Sequence, residues 1–350
     1  MTQTTDPRAR LREAGIALQP ANDRDPTAPW YLLVLQGIGG WFSALFLMGF
    51  LGLGFLQVLG NAALALLLGV ALIGGAYGLL RQPQSIFVEQ LVLAFSLAGQ
   101  LLVAFAIGKW LDDINAFFWV CLLALHTLLT VLMASRIHRM FSALFAALSL
   151  FFLGVEVGLP YLVAPLVLAC GGGLWLNEFR DPARRASLKA VAMGLTLALL
   201  VMQYLSRFPD LLDGSMANAW LPHWLGEWLT GATLGYLAWW VCKTNNVDLT
   251  PRTLAAGGAA LVLLCLSSSF AYGLTQGAVL LALGFAISHH ILTGLGIVSL
   301  LFSISTYYYR LDLTLLEKSA TLLALGLVFL ALRTLIRRWP GNREGETDYA

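Results

Sequence analysis

The sequence predicts an all-α fold, a polytopic transmembrane helical bundle of about twelve spans with both ends on the cytoplasmic side. Three observations carry this. Apolar stretches follow one another from Tyr31 to Thr334 with barely a break, and most reach the roughly 20 residues that a bilayer-crossing helix needs. Hydrophobic residues make up 59% of the 350 and charged residues 11%, where a soluble domain carries about 25% charge. With the N-terminus inside, the basic residues also sort by side. Inner segments and inner helix ends hold Arg8, Arg10, Arg12, Arg24, Arg81, Arg136, Arg139, Arg180, Arg184, Arg185, Lys189, Lys243, Arg252, Arg333, Arg337, Arg338 and Arg343, whereas outer segments hold Lys109, Arg207 and Arg310. That asymmetry fits the positive-inside rule and an even number of spans. Losing two adjacent spans would preserve it, so ten is the alternative count.

Residues 1–29 read as a polar cytoplasmic segment with no apolar core, hence not a cleavable signal peptide. Residues 30–336 form the transmembrane domain, with spans at 31–55, 61–80, 88–108, 114–134, 140–157, 160–177, 190–206, 223–242, 254–272, 275–289, 291–309 and 314–334. The first apolar run continues to Gly60 and has to tilt or bend. In the second span Gly74 and Gly78 form a GxxxG pair that lets a neighbouring helix approach closely. The third carries Glu89, Gln90 and Gln100. At about 100° per residue, Ser96 and Gln100 fall within roughly 20° of Glu89, a face expected to turn into the bundle. A charge at a helix centre costs roughly 2.5–3.5 kcal/mol and each leucine returns about 0.5. This span carries Glu89 unaided, so structural and functional roles both stay open for it.

His126 lies mid-way along the fourth span with Thr130 one turn on, either a satisfied hydrogen-bonding residue or part of a pathway. Arg136, His138 and Arg139 belong to a cytoplasmic basic loop, accounted for by orientation and anionic headgroups. Gly171, Gly172 and Gly173 make a smooth packing patch, or else a hinge of the kind transporters use. The loop from Ser206 to Pro222 mixes Asp210 and Asp213 with Leu211, Leu212 and Trp220; it reads as an amphipathic segment on the outer surface, with partner docking as the alternative. Glu156 and Glu227 sit near outer helix ends and are expected to be solvated. Gly231 and Gly235 form a second GxxxG pair, the tenth span is short enough to be re-entrant, and His289 and His290 flank a tight inner turn. Tyr307, Tyr308 and Tyr309 fit an interfacial aromatic belt together with Trp30, Trp110, Trp220, Trp224 and Trp339, with ligand stacking as the alternative. Glu317 and Lys318 in the last span point about 100° apart and need separate partners, unless Lys318 snorkels outward. Residues 337–350 read as a disordered cytoplasmic tail.

A net charge of +2 leaves no basic surface for nucleic acid. Cys121, Cys170, Cys242 and Cys265 lie in apolar surroundings without a CxxC pair, so neither disulfides nor a metal cluster is expected, and no cofactor. HExxH, GxSxG and GxxxxGK[ST] are absent, and the chain is expected not to be an enzyme. The candidates for a substrate or ion pathway are therefore Glu89, Gln90, Gln100, His126, Glu317 and Lys318.

Two stretches carry a resemblance. One is Pro29-Trp30-Tyr31, Gly37 to Trp41 and Phe46 to Gly52; the other is Tyr307 to Ser319, with its Thr-Leu-Leu-x-Lys-Ser pattern. With Glu89-Gln90 and His138-Arg139, the chain resembles the bacterial membrane family called domain of unknown function 4401, and is similar to the related family numbered 2157. The resemblance spans nearly the whole chain, as a stand-alone version with no room for a second domain. It implies a bacterial inner-membrane location and supplies no substrate or active site. It also implies, besides the lipid bilayer, a small membrane-anchored protein as partner, of a kind named for a GDYxxLxY motif. The expected function is a transporter or permease for a small solute; the alternative is a structural or assembly subunit of an envelope membrane complex.

Overall fold

The computed structural model describes residues 60–81, 86–178, 184–208, 219–244 and 250–310 continuously, with single positions between 35 and 49 and between 316 and 330. These residues form α1 (Ala62–Leu79), α2 (Ile86–Leu111), α3 (Ala116–Leu132), α4 (Arg136–Glu156), α5 (Pro160–Leu176), α6 (Arg185–Arg207), α7 (His223–Thr244), α8 (Pro251–Phe270), α9 (Leu274–Ala286) and α10 (His290–Arg310). No strand occurs among the described residues. The helices coincide, to within a few residues at each end, with the second to eleventh spans read from the sequence. Described positions inside the first and last, such as Phe42, Phe46, Leu323 and Leu327, are helical as well; the remainder of those two segments lies outside the described residues.

Among the described residues, five helical segments are long and apolar enough to cross a membrane: Ala62–Leu79, Phe87–Leu111, Arg136–Glu156, Arg185–Arg207 and His290–Tyr309. Four more, Ala116–Leu132, Pro160–Leu176, Thr253–Ser269 and Leu274–Ala286, are apolar but shorter. The architecture is that of a helical membrane protein. Only helices and closed barrels satisfy their own backbone in lipid, and apolar side chains such as Leu67, Leu101, Val131 and Phe285 point outward. α9, with 13 residues, is about 20 Å long and falls short of a hydrocarbon core of about 30 Å.

Helix starts follow local chemistry. Asn115 Oδ1 accepts the Phe117 and Phe118 N–H groups (3.1 and 3.2 Å), and Asn61 does the same for α1. Thr250 caps α8 ahead of Pro251, whose missing N–H costs nothing in the first turn.

The chain divides into two compact units, Met1–Trp110 and Leu111–Ala350. In the first, α1 and α2 cross at Gly69 and Gly99, where a Cβ on either glycine would stand 2.7 Å from the carbonyl oxygen of the other. Ala62, Ala65 and Ala106 continue the seam with Leu66 and Leu102, and Lys109 Nζ donates to Gly60 O (2.6 Å) at its end. Among the described residues no contact is found at Gly74 and Gly78, where a Cβ meets nothing within 4 Å. Close approach occurs at the crossing point, and these two glycines lie beyond it.

In the second unit α3 packs on α4, α4 on α5 and α6, and α5 on α6 and α7; α7 then packs on α8 and α9, and α9 on α10. The core joins Phe151 of α4, Leu168 and Trp175 of α5, Leu199 and Met202 of α6, Leu237 of α7, Leu280 of α9 and Leu292 of α10. Trp175 is buried whole because its Nε1–H donates to Thr196 Oγ1 (3.1 Å). α5 runs unbroken through Gly171–Gly173, with Gly171 and Gly172 packed against Leu195 and Leu237. A Cβ on Gly172 would stand 2.9 Å from the Leu237 side chain.

His289, in the turn before α10, acts as its N-cap. Its Nδ1 accepts the Leu292 N–H (3.2 Å), and its ring stands 4.9 Å from that of Trp175. Burial, and after it the charge of Lys189, holds the imidazole below its ordinary range, with Glu178 acting in the opposite sense. The neutral ring is the one whose Nδ1 accepts a hydrogen bond.

Two outcomes are expected. Gly69→Leu, which drives a side chain into α2, costs about 1–3 kcal/mol by overpacking, while Gly74→Leu, entering open space, leaves thermal unfolding in detergent nearly unchanged. His289 is protonated more readily unfolded than folded, so its contribution is full above the unfolded value of 6.5 and declines as pH falls through it. His289→Asn keeps a cap without a titrating ring, and its melting temperature should fall less steeply than that of the wild type between about pH 8 and pH 5.

Candidate functional site

The last turns of α6 and α8, the first turns of α7 and α9, and the C-terminal half of α10 meet in one buried polar layer. It starts where α8 ends. The chain leaves α8 at Ala271, turns through Gly273 at φ 89°, and enters α9 at Leu274. Only glycine holds that left-handed conformation without strain. The turn leaves N–H groups with no intrahelical acceptor, and Glu227 on α7 supplies one. Its Oε1 accepts the Gly273 N–H (3.0 Å), and its Oε2 accepts the Ser268 hydroxyl. Ser268 Oγ in turn accepts the Thr275 N–H (3.1 Å). Glu227 is 4% exposed, and Ser268 and Thr275 are wholly buried. The Thr275 hydroxyl faces the same carboxyl but has no partner in hydrogen-bond geometry among the described residues.

The layer continues on the far side of Gly273, where a Cβ would stand 2.5 Å from Gln203 Nε2. Gln203, 2% exposed on α6, ties three helices together. Its Nε2 donates to Ser303 Oγ (2.6 Å) and Ser299 O (3.1 Å) on α10. Its Oε1 accepts from Ser299 Oγ (2.7 Å) and from Gln276 Nε2 (3.2 Å) of α9. Gln276 Nε2 also donates to Leu199 O (3.1 Å) on α6. One turn below Glu227, α7 presses on α8: a Cβ on Gly231 would fall on Cys265 Sγ, and one on Gly235 would stand 3.2 Å from Leu261. This second GxxxG pair packs as its spacing predicts.

The expectation of a solvated Glu227 is thus corrected. Its position near a helix end is right, but the α8–α9 turn closes over that end and replaces water with two donors. Glu156 is exposed, as expected. Gln203, Gln276, Ser268, Ser299 and Ser303 were not singled out from the sequence. The available signal was a glutamine in each of two apolar helices and a Ser-x-x-x-Ser pair one turn apart on α10.

The other sequence-chosen residues lie elsewhere. In the first unit Glu89 is half-buried, and Gln90, Ser96 and Gln100 are buried on α2. Gln100 Nε2 donates to Ser96 Oγ (3.4 Å), and its Oε1 has no partner among the described residues. The face inferred from helical spacing is therefore a buried one. In the second unit His126 is buried against Phe145 (ring centroids 5.5 Å apart), and its Nδ1 has no hydrogen-bond partner among the described residues. Arg136 is exposed, but His138 does not face headgroups: it is wholly buried in the first turn of α4, Nδ1 3.0 Å from Ser142 Oγ. The turn is tighter than a basic loop, since Arg139 Nε donates back to Met133 O and pulls the chain inward. Glu317 is exposed, and Lys318 lies outside the described residues. No group of three potential metal ligands occurs among the described residues, and Cys265 is buried whereas Cys170 is exposed.

Glu227→Ala leaves the Gly273 N–H and the Ser268 hydroxyl without acceptors in a dry site. It should destabilise the protein by about 2–4 kcal/mol, read as a lowered melting temperature in detergent. Glu227→Gln, which keeps one acceptor oxygen and the volume, should lose no more than about half of that.

Comparison with known proteins adds the family alone. No curated protein and no solved structure matches the chain. Its match to a family model covers residues 29–339, nearly the whole chain. The protein belongs to the family described as Domain of unknown function (DUF4401).

Proposed function

We propose that this protein is a multi-pass protein of the bacterial inner membrane, with about twelve spans and both ends cytoplasmic, that carries a small solute or ion across the bilayer without altering it chemically. The observation that carries this reading is Glu227: a carboxyl 4% exposed, set where one helix breaks off and the next begins. An ionisable residue inside a membrane is a functional group by default, and transporters bind their cargo where helices are discontinuous. The Thr275 hydroxyl, which faces the carboxyl, supplies a donor beside it, and the Gln203–Gln276 pair extends the polar surface across α6, α9 and α10. The distribution of basic residues supports the topology. Glu89, Gln90, Gln100 and His126 extend the set of pathway candidates, with Glu317 and Lys318 less favoured by the exposure of Glu317.

Thermal-shift screening of the purified protein against small organic and inorganic ions tests the reading. At least one solute should raise the melting temperature of the wild type, and the shift should vanish in Glu227→Gln while the unliganded melting temperature moves little. Equal shifts in both proteins would remove Glu227 from the site.

A second reading, an assembly subunit of a membrane complex, is favoured by Trp220. Its side chain is 82% exposed, and its N–H donates to Gly158 O (2.9 Å), which holds it at the α4–α5 turn. A small membrane-anchored protein is the partner proposed. It should co-purify in stoichiometric amount from native membrane and be lost with Trp220→Ala; a screen without any ligand together with such a partner would move the weight to this reading.

A further inference from the structure

α7 and α8 touch closely at Gly231 and Cys265, and again at Gly235 and Leu261. Beyond that point they separate toward Lys243, leaving a cleft of about 510 Å³. Its walls are Leu234, Ala238 and Trp239 on α7 and Leu254, Gly257 and Leu261 on α8. Among the described lining residues the Thr253 hydroxyl is donated to Thr250 O (2.8 Å), and the weakly polar Cys242 thiol and the Trp239 indole N–H are the other polar side-chain groups. The mouth of the cleft differs: the exposed Lys243 ammonium stands 4.9 Å from the centroid of the Trp239 ring. The groove is largely apolar and cationic at one end.

We propose that this cleft binds one anionic phospholipid, the headgroup-proximal part of an acyl chain lying between α7 and α8 and its phosphate at Lys243. The charge distribution matches such a molecule end for end. A juxtamembrane lysine contributes about 1 kcal/mol toward an anionic headgroup, and Trp239 provides the aromatic surface that such a headgroup region favours. Size argues against a partner helix. From Gly235 to Cys242 the groove runs about 10 Å along α7. That is about two turns of helix, a third of the roughly 30 Å that a membrane-spanning partner helix would present. A cleft of about 510 Å³ falls in the range that holds small ligands, about 300–1,000 Å³. The site stands on its own geometry, whatever solute the protein carries.

Native mass spectrometry of the full-length protein in mild detergent, titrated with phosphatidylglycerol and separately with phosphatidylcholine, tests it. The wild type should hold one phosphatidylglycerol at least about fivefold more tightly than phosphatidylcholine, one lysine contact being worth that factor. Lys243→Gln should bring the two lipids to nearly equal affinity. Gly257→Leu places a side chain in the cleft, at a position where a Cβ meets nothing within 4 Å, and should weaken both lipids by tenfold or more. Lipid-free melting temperatures of the two variants serve as the fold control, and Lys243→Gln alone decides the matter should Gly257→Leu fail to fold. The proposal is overturned by no lipid preference in the wild type, by a preference that survives Lys243→Gln, or by a stoichiometric protein that Gly257→Leu displaces in place of lipid.

Discussion

The turn between α8 and α9 has to satisfy its backbone where no water reaches, and the Glu227 carboxyl does so. Unpaired polar groups cost several kcal/mol each in a hydrocarbon environment, so a chain that reverses inside the protein must bring its own acceptor. Glu227 takes the Gly273 N–H, and through Ser268 it fixes the Thr275 N–H as well. The remaining contacts of that end follow from this one. With the turn fixed, α9 starts where Gln276 reaches Gln203, and Gln203 then reaches the two α10 serines. Two hydrogen-bond networks, one around Glu227 and one around Gln203, meet at the start of α9 and together register five helices.

That arrangement gives the second unit two unlike ends. Near Glu227 the helices are tied by directional bonds and by the Gly231–Cys265 contact. Near Lys243, α7 stands with apolar clefts against both α8 and α9. Packing in lipid gains nothing from hydrophobic exclusion and depends on close van der Waals fit. A helix pair that fits closely at one end and gapes at the other is therefore held by its polar end, with the gap left for lipid to fill.

Helix positions were legible because apolar runs alternate with short polar breaks, and those breaks carry asparagine and threonine caps, as at Asn61, Asn115 and Thr250. The buried face of α2 was legible too, since helical spacing alone puts Ser96 and Gln100 together. Glu227 was misread because depth along one helix says nothing about what a neighbouring helix lays over it. The same limit hid Gln203 and Gln276, which are 73 positions apart in the chain; each is unremarkable until the fold pairs them. The glycine pairs divide on the same ground. Gly231 and Gly235 lie at a crossing, Gly74 and Gly78 lie at none among the described residues, and the GxxxG spacing is common to both.

Gly273 gives the layer its functional interest. Its N–H is bonded to Glu227, and the space its missing side chain leaves is filled by Gln203. An ionised carboxyl offers acceptors alone, whereas a protonated one offers a donor as well. Under the proposed function, a proton placed on Glu227 Oε2 would leave Oε1 to accept the Gly273 N–H and would turn the bond to Ser268, at the end of α8, into one in which the carboxyl donates. Because Gln276 sits in the first turn of α9 and holds Gln203, a shift of the turn would be felt at α6 and α10. Coupling between sites needs a physical element that both sites bias; under the proposed function the α8–α9 turn would be that element, with Glu227 on one side and the Gln203–Gln276 amides on the other.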